Sequence, residues 1–300
     1  MPSLSISLVT PTLNAGPYLR EALESVAAQR HQDLEVIVAD GGSTDESLDI
    51  AQRFSFVTVL PGPDASIYDG MNRGLRHAGG EIVGILNADD RLAEGTLNKV
   101  VEVFTADLEL DVITGGFLVF GNQGQLARLL PGSRILSFEG LVFGVPGINA
   151  RFFRRRLLDQ IGFFDQEIGL AADRELLVRL LRRNPKRATI DTVLYHYRAH
   201  AGSHTLAGDR RARTRVWQSH LQLAKQMMNH PATCPHERRV WRLLQSLEGA
   251  KLIASRARGG KAGEAISIAR TLFGENHAWL ADLPAALVAW RRWRGQHSGA

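Results

Sequence analysis

The sequence predicts an α/β protein with a largely parallel sheet flanked on both faces by helices, followed by a basic helical extension. Three observations predict it. Strand-like apolar runs alternate with segments of helical period through the first hundred residues, acidic residues recur where those runs end, and the last third reads as helix with a charge of its own. At 300 residues, 44% hydrophobic and 22% charged, the chain can bury a sizeable core as one large domain or two.

The alternation runs in order. "LSISLVT" (4–10) precedes the amphipathic "YLREALESVAAQ" (18–29), and "LEVIVAD" (34–40) precedes "TDESLDIAQRF" (44–54). The short run "FVTVL" (56–60) is followed by "SIYDGMNRGLRHA" (66–78), and "EIVGILNA" (81–88) by "EGTLNKVVEVFT" (94–105). Sheets of this kind bind ligands beyond the carboxyl ends of their strands. Thr10, Pro11, Asp40, Asp64, Asp89 and Asp90 all lie at or just past such ends.

Two of these ends admit two readings each. In "ADGGSTDES" (39–47), Ser43 and Glu46 have the spacing of a capping box, while Gly41 and Gly42 would let the backbone approach a nucleotide beside Asp40. No G-x-G-x-x-G or G-x-x-x-x-G-K-[ST] occurs in this region, against a dinucleotide-binding domain and a P-loop. Asp89 and Asp90 could form a solvated turn that caps the next helix. They could equally offer hard oxygens to Mg²⁺ or Mn²⁺, cations that bridge the phosphates of a diphosphate.

The stretch "SLVTPTLNAGPYLREALESVAAQRHQDLEVIVADGGSTDES", with "GPDASIYDGMNRGLRHAGGEIVGILNADD", resembles the family 2 glycosyltransferases of GT-A fold. It is most similar to the branch found among bacterial exopolysaccharide and O-antigen enzymes. The resemblance covers residues 4 to about 205 and implies a metal-dependent transferase using a nucleotide-diphosphate sugar. By that resemblance Thr10, Pro11 and Thr12 form the first nucleotide-binding turn, and Asp40 is the first acid of the DDGSTD-type motif. Asn87, Ala88, Asp89 and Asp90 match the D-x-D-type metal motif, with Asp89 as metal ligand and Asn87 and Asp90 on the donor side. "GFFDQEIGLAADRELLVRL" places Asp173 as the catalytic base, and "YRAHAGSHT" offers His200 as a further metal ligand. Gly41 stands where many members carry a second acid, and Ala172 replaces the Glu of their ED pair.

Each candidate has a plainer rival. Asp173 and Glu175 could simply cap the helix "DRELLVRLLRR". His196, His200 and His204 recur every four residues, as in a zinc site, but in a Gly-containing segment of extended character. Asp69 and Asn72 could line the donor pocket, or cap and pack the start of their helix.

The charge divides unevenly. Residues 1–205 carry 20 Lys and Arg against 25 Asp and Glu, a net of −5, whereas residues 206–300 carry 16 against 6, a net of +10. The expected organisation is a catalytic domain over 1–205 and a basic helical extension over 206–300. That extension could pack as helices alone, or seat Trp290, Arg291, Arg292, Trp293 and Arg294 at an anionic membrane. No apolar run approaches the ~18 residues of a membrane span, and no signal-peptide pattern opens the chain. The expected location is the cytoplasm, peripheral on the inner face of its membrane.

The activity these features imply is an inverting transfer to a hydroxyl of a glycan, free or lipid-linked, in bacterial surface-polysaccharide synthesis. The alternative is a non-catalytic nucleotide-sugar or nucleic-acid-binding protein. The tail carries no recognisable nucleic-acid motif, so no nucleic-acid partner is expected. The single cysteine, Cys234, excludes an internal disulfide and a multi-cysteine metal site.

Overall fold

The computed structural model describes residues 4–131, 137–203 and 210–294. The first four strands are β1 (Ile6–Thr12), β2 (Leu34–Asp40), β3 (Val57–Leu60) and β4 (Ile82–Ile85). Helices α1 (Gly16–Ala27), α2 (Ser47–Ala51) and α3 (Ile67–His77) connect them. Then follow β5 (Arg91–Leu92), α4 (Thr96–Ala106), β6 (Val112–Gly121), β7 (Gly124–Leu129), α5 (Phe138–Phe143), β8 (Arg151–Arg154) and α6 (Arg155–Ile161). The chain continues with α7 (Ala172–Arg182), β9 (Arg187–Arg198), α8 (Arg210–Asn229), α9 (Pro235–Arg258), α10 (Ala262–Glu275) and α11 (Trp279–Arg294).

One nine-stranded sheet has the order β3-β2-β1-β4-β8-β6-β9-β5, with β7 added on β6. Strands β1 to β4 are mutually parallel, as the βα alternation requires. Beyond β4 the sheet is mixed: β8 runs antiparallel between β4 and β6, and β6 pairs in parallel with β9. The expectation of a largely parallel sheet therefore holds for its first half. The alternation that announces parallel strands stops at α4, and β6 and β7 meet as a hairpin.

Strand β1 is buried along its whole length, which explains why it reads as a continuous apolar run. Helix α1 starts with Pro17 in its first turn and buries Leu19, Ala22, Leu23 and Val26, one face at helical spacing. These pack with Leu8, Val36, Ile82, Phe104, Phe152 and Leu194 in a single core cluster.

The chain forms two compact units, Met1–Ser133 with Gly147–Gln166 and Leu176–Ala199, and Arg134–Pro146 with Glu167–Glu175 and His200–Ala300. In the second, α9 is the hub. Trp241 is fully buried and meets Phe138 of α5 edge-on at 5.7 Å. A Cβ at Gly249 would stand 2.4 Å from Leu272 Cδ1, so the bare glycine is what lets α10 pack this closely on α9.

One helix is shorter than its sequence pattern. Residues 44–54 read as helical, but α2 spans only Ser47–Ala51 with Glu46 at its N-cap position. The Ser43–Glu46 capping box does not form. Ser43 Oγ accepts from Asn14 N–H at 2.9 Å, and Asp45 and Ser47 accept from the Gly16 and Ala15 amides at 3.0 Å. The loop reaches across to the start of α1, while Asp45 Oδ1 accepts from Ser47 N–H at 3.0 Å, the first amide of α2.

Candidate active site

Strands β2, β1 and β4 lie side by side, so their carboxyl ends form one edge. Register places Thr12 opposite Asp40. Asp40 is buried, and its Oδ2 accepts from the Gly42 and Ser43 amides at 2.9 Å each, closing the glycine turn on itself. Its Oδ1 is buried without a hydrogen-bond partner among the described residues, as are Thr10 Oγ1 and Asn87 Oδ1. Buried polar atoms are ordinarily satisfied, and these three oxygens on one sheet edge are open to a ligand's donors or to a cation. Thr12 donates to Thr10 O at 3.3 Å, and Pro11 is buried between them.

Beside this edge stands Asp64, ion-paired with Arg73 at 2.8 Å. Burial raises its pKa, Arg73 pulls it back, and Asp69 and Asp40 push it up again. A Cβ on Gly41 would stand 2.9 Å from Asp64 Oδ2, and one on Gly70 2.6 Å, so both glycines are required by the carboxylate between them. Arg73 also donates to the carbonyls of Asp40 (3.1 Å), Leu60 (2.7 Å) and Gly62, tying together the ends of β2 and β3.

Asp69 and Asn72 are already engaged. Ser66 caps α3 by accepting from Asp69 N–H at 3.2 Å, while Asp69 accepts from Ala65 N–H at 3.1 Å and Gln166 Nε2 at 3.0 Å. The Asn72 amide exchanges two hydrogen bonds with the Phe164 backbone, at 2.8 and 2.9 Å. These bonds fix both side chains at the start of α3, beside Asp64.

The paired aspartates differ from one another. Asp89 is half-buried, and its carbonyl accepts from Arg198 Nε at 2.8 Å. Asp90 is fully buried and accepts from Tyr195 Oη (2.6 Å), Arg198 N–H (2.7 Å) and Asn87 Nδ2 (3.0 Å). Burial, then the adjacent Asp89 charge, pushes the Asp90 carboxyl up to about 7 despite those donors. Tyr195 Oη accepts in turn from Asn87 N–H (3.1 Å) and Asn149 Nδ2 (3.2 Å). Asp90 therefore organises the turn that presents Asp89.

Asp173 and His200 belong to the second unit. Asp173 sits half-buried in the first turn of α7, where its Oδ1 accepts from Arg174 N–H at 2.7 Å. His200 Nδ1 accepts from Gly202 N–H at 3.2 Å, which orients its ring. His196 lies in β9, and burial followed by the Arg91 charge lowers its pKa. His204 falls outside the described residues. Among the described residues no three His, Cys, Asp or Glu side chains gather as a metal cluster.

Residues 7–162 match the family model described as "Glycosyl transferase family 2". The chain belongs to this family. A PGL/p-HBAD biosynthesis glycosyltransferase of Mycobacterium tuberculosis is 31% identical over 189 residues, 61% of this chain and 72% of that protein. An uncharacterized glycosyltransferase of Nostoc sp. is also 31% identical, over 53% of each chain. Among solved structures, S. aureus TarS 1–349 in complex with UDP-GlcNAc superposes with a TM-score of 0.63 at 17% identity, covering 99% of this chain and 93% of that one. The Pyrobaculum calidifontis mannosyltransferase PcManGT, in complex with GDP-Man and Mn²⁺, gives 0.62 at 21%, covering 97% and 87%. These similarities show the fold, a GT-A glycosyltransferase sheet with C-terminal helices.

In this family 2 glycosyltransferase, three residues with clear structural roles escaped the sequence reading. Arg73 lay inside the quoted "IYDGMNRG", and Arg198 inside "YRAHAGSHT", but neither spacing says what the guanidinium grips. Tyr195 comes 105 residues after Asp90, beyond any local pattern. The fit to a divalent cation can be tested on the oxygens present. Asp89, the unsatisfied Asn87 Oδ1 and Asp90, its pKa raised by burial and then by the Asp89 charge, make a hard-oxygen turn that suits Mg²⁺ or Mn²⁺.

Proposed function

We propose that this glycosyltransferase catalyses an inverting, divalent-metal-dependent transfer from a nucleotide-diphosphate sugar to a hydroxyl of a lipid-linked glycan. The pathway is bacterial surface-polysaccharide synthesis at the inner face of the cytoplasmic membrane. The observation that carries the reading is the row of unsatisfied buried oxygens, Thr10 Oγ1, Asp40 Oδ1 and Asn87 Oδ1, at the carboxyl ends of adjacent strands.

In this reading Thr10, Pro11 and Thr12 form the floor under the nucleoside, and Asp40 accepts from its base or ribose. Asp69 and Asn72, at the start of α3, line the donor pocket beside that floor. Asp89, with His200, holds the cation, and Asn87 and Asp90 fix the turn that aims Asp89. When bound, the cation neutralises charge developing on the departing nucleoside diphosphate. Asp173 takes the proton from the acceptor hydroxyl as that oxygen attacks the anomeric carbon, so a single displacement inverts the configuration. The ED pair's missing Glu leaves this step intact, because proton abstraction needs one carboxylate in hydrogen-bond reach.

The domain reading is a catalytic segment over 1–205 and a basic extension over 206–300. Among the described residues no helix is long and apolar enough to cross a membrane. The +10 charge of the extension supports peripheral attachment.

Thermal-shift and hydrolysis assays with UDP-, GDP- and dTDP-sugars, with and without Mn²⁺, test the reading. One nucleotide sugar should raise Tm only in Mn²⁺ and be slowly hydrolysed without acceptor, since a ligand confined to the native state stabilises by mass action. Binding without hydrolysis would leave a non-catalytic binder, and absence of both would overturn the donor site.

A further inference from the structure

We propose that the groove between α9 and α11 is a membrane-docking site that takes an acyl chain of an anionic phospholipid, with the lipid phosphate on Arg239 and Arg292. This deepens the peripheral-membrane reading above and rests on it, but not on the sugar chemistry.

The groove encloses about 510 Å³ within the second unit, inside the range of about 300–1,000 Å³ usual for small-molecule clefts. Its lining includes the apolar Phe143, Val240, Leu243, Pro284 and Val288 and two solvent-exposed arginines, Arg239 and Arg292. The only carboxylate on its lining is Glu139, which stands 2.8 Å from the His236 ring. Among the described residues neither arginine has an acidic partner. An apolar trough with two uncommitted guanidiniums on its lining is complementary to an apolar chain carrying a phosphate.

The same helix continues the apolar surface outward. Leu280, Leu287 and Val288 are 59%, 40% and 67% exposed, and positions 280, 287, 288 and 291 fall on one face of α11, ending at Arg291. The helix has one acid, Asp282, and Arg242 holds it at 2.8 Å, so this face carries no free anion to repel a lipid headgroup. Isolated exposed leucines are ordinary on protein surfaces. A continuous stripe beside an apolar trough, in a segment of +10 charge, is not.

This placement revises which residues meet the lipid. Trp290, expected at headgroup depth, is half-buried with Lys251 Nζ 5.1 Å over its ring, so its indole packs on α9. The side chains of Trp293 and Arg294 lie outside the described set. Val288 and the two groove arginines take the role the tryptophans were expected to play.

Co-sedimentation of the full chain with vesicles tests the assignment. The chain should pellet with phosphatidylcholine mixed with phosphatidylglycerol, and not with phosphatidylcholine alone. Added salt should release it only in part, because the apolar contact outlasts charge screening. Val288→Asp should make release by salt complete, and Arg239→Glu with Arg292→Glu should abolish pelleting. Arg211→Glu with Arg213→Glu, the same charge change at exposed positions of α8, should leave most of it. Equal loss in both double variants would mean diffuse attraction and overturn the groove. So would wild-type behaviour in Val288→Asp, or light scattering that shows a dimer which Val288→Asp dissociates, since the occupant would then be a second copy. Nucleotide-sugar hydrolysis in solution should be unchanged in every variant. If hydrolysis is absent from the wild type while vesicle binding follows this pattern, the donor reading fails and the docking site stands.

Discussion

Asp90 and Glu248 are both almost wholly removed from water, yet the protein answers their charges in opposite ways. Asp90 is met by dipoles: a tyrosine hydroxyl, a backbone amide and an asparagine amide, with a second carboxylate next door. Its pKa rises to about 7. Glu248 is met by cations. Burial pushes its pKa up, but the Lys251 ammonium at 2.8 Å and the His220 ring at 3.9 Å, itself held toward its neutral form, more than offset that, and it titrates below the usual range. Arg174, buried and donating to the Val142 and Gly144 carbonyls, adds a second positive charge to the same cluster.

The difference separates a site from a strut. A buried anion answered only by dipoles gains when a cation arrives, whereas one already answered by cations gains nothing. A cation bound at the strand-end turn would therefore relieve a charge that only dipoles answer, whereas the helix cluster already supplies cations of its own. Five measurements break or sharpen that distinction.

The largest effect is expected at the strand-end turn. Asp89→Ala should abolish Mn²⁺-dependent donor binding and turnover while leaving the thermal transition without ligand near that of the wild type, because Asp89 is half-buried at a strand end and outside the core. Wild-type turnover in this variant would remove Asp89 from the metal role.

Next comes Asp173, a neighbour of the helix cluster that is proposed to exchange a proton. Asp173→Asn keeps the shape and should lower kcat by about 10² to 10⁴ with donor affinity little changed. A loss confined to donor affinity would make Asp173 structural, with Glu175 the next candidate.

Glu248→Gln tests the strut. It leaves Lys251 without its anion and removes one of the two carboxylates that face Arg174, Asp173 being the other, and removing one partner of a largely buried ion pair costs up to about 3 kcal/mol. Urea unfolding should show that loss with turnover per folded molecule retained. A variant as stable as the wild type would mean the cluster is not electrostatically closed.

The sequence legibly encoded the first half of this molecule because its information there is local. Strands β1 to β4 and their helices follow from periodicities of two and 3.6, and β1 and β2 end at Thr12 and Asp40, within two residues of where the apolar runs stop. The partners of the site residues were not legible. Asp90 is held by Tyr195 and Arg198, more than a hundred residues later, and no local rule reports which side chain a strand will present across a sheet. The second unit is interleaved in the chain: its helices pack with residues 134–146 and 167–175, although composition changes only after residue 205. The Ser43–Glu46 pattern misled for a similar reason. The spacing was present, but Ser43 takes the Asn14 amide of another segment, and Asp45, not Ser43, meets the first amide of α2.

Acid should load the strut first. Burial holds His220 below its usual pKa, Arg174 lowers it further, and Glu248 opposes them only in part, with Lys251 also facing it. The unfolded chain therefore takes up this proton at higher pH than the folded one. Stability from neutral His220 is complete above about pH 6.5 and is lost as pH falls from there toward the folded value. Glu248 adds a loss of the same sign below its ordinary range. Asp90, raised to about 7, acts in the opposite sense over this window, so the test is relative: from about pH 7.5 to about pH 5 the urea midpoint of His220→Gln should fall less, or rise more, than that of the wild type. An equal change in both would place the acid-labile group elsewhere.

Of the two buried carboxyls, the smaller stability effect is expected from Asp90→Asn, although Asp90 is as buried as Glu248. The change removes a desolvated charge and its repulsion by Asp89, both of which favour the variant. Against this, the new amide can still accept from Arg198 N–H, but its NH₂ group faces Asn87 Nδ2 and a Tyr195 hydroxyl that already takes two hydrogen bonds. One or two lost hydrogen bonds cost about 1 kcal/mol each, and the relieved charge offsets much of that. The net destabilisation should stay near 1 kcal/mol or below, with a loss of turnover smaller than that of Asp89→Ala. If Asp90→Asn instead unfolds the protein as readily as Glu248→Gln, then Asp90 is a strut too, and the charge open to a cation at the strand ends belongs to Asp89 alone.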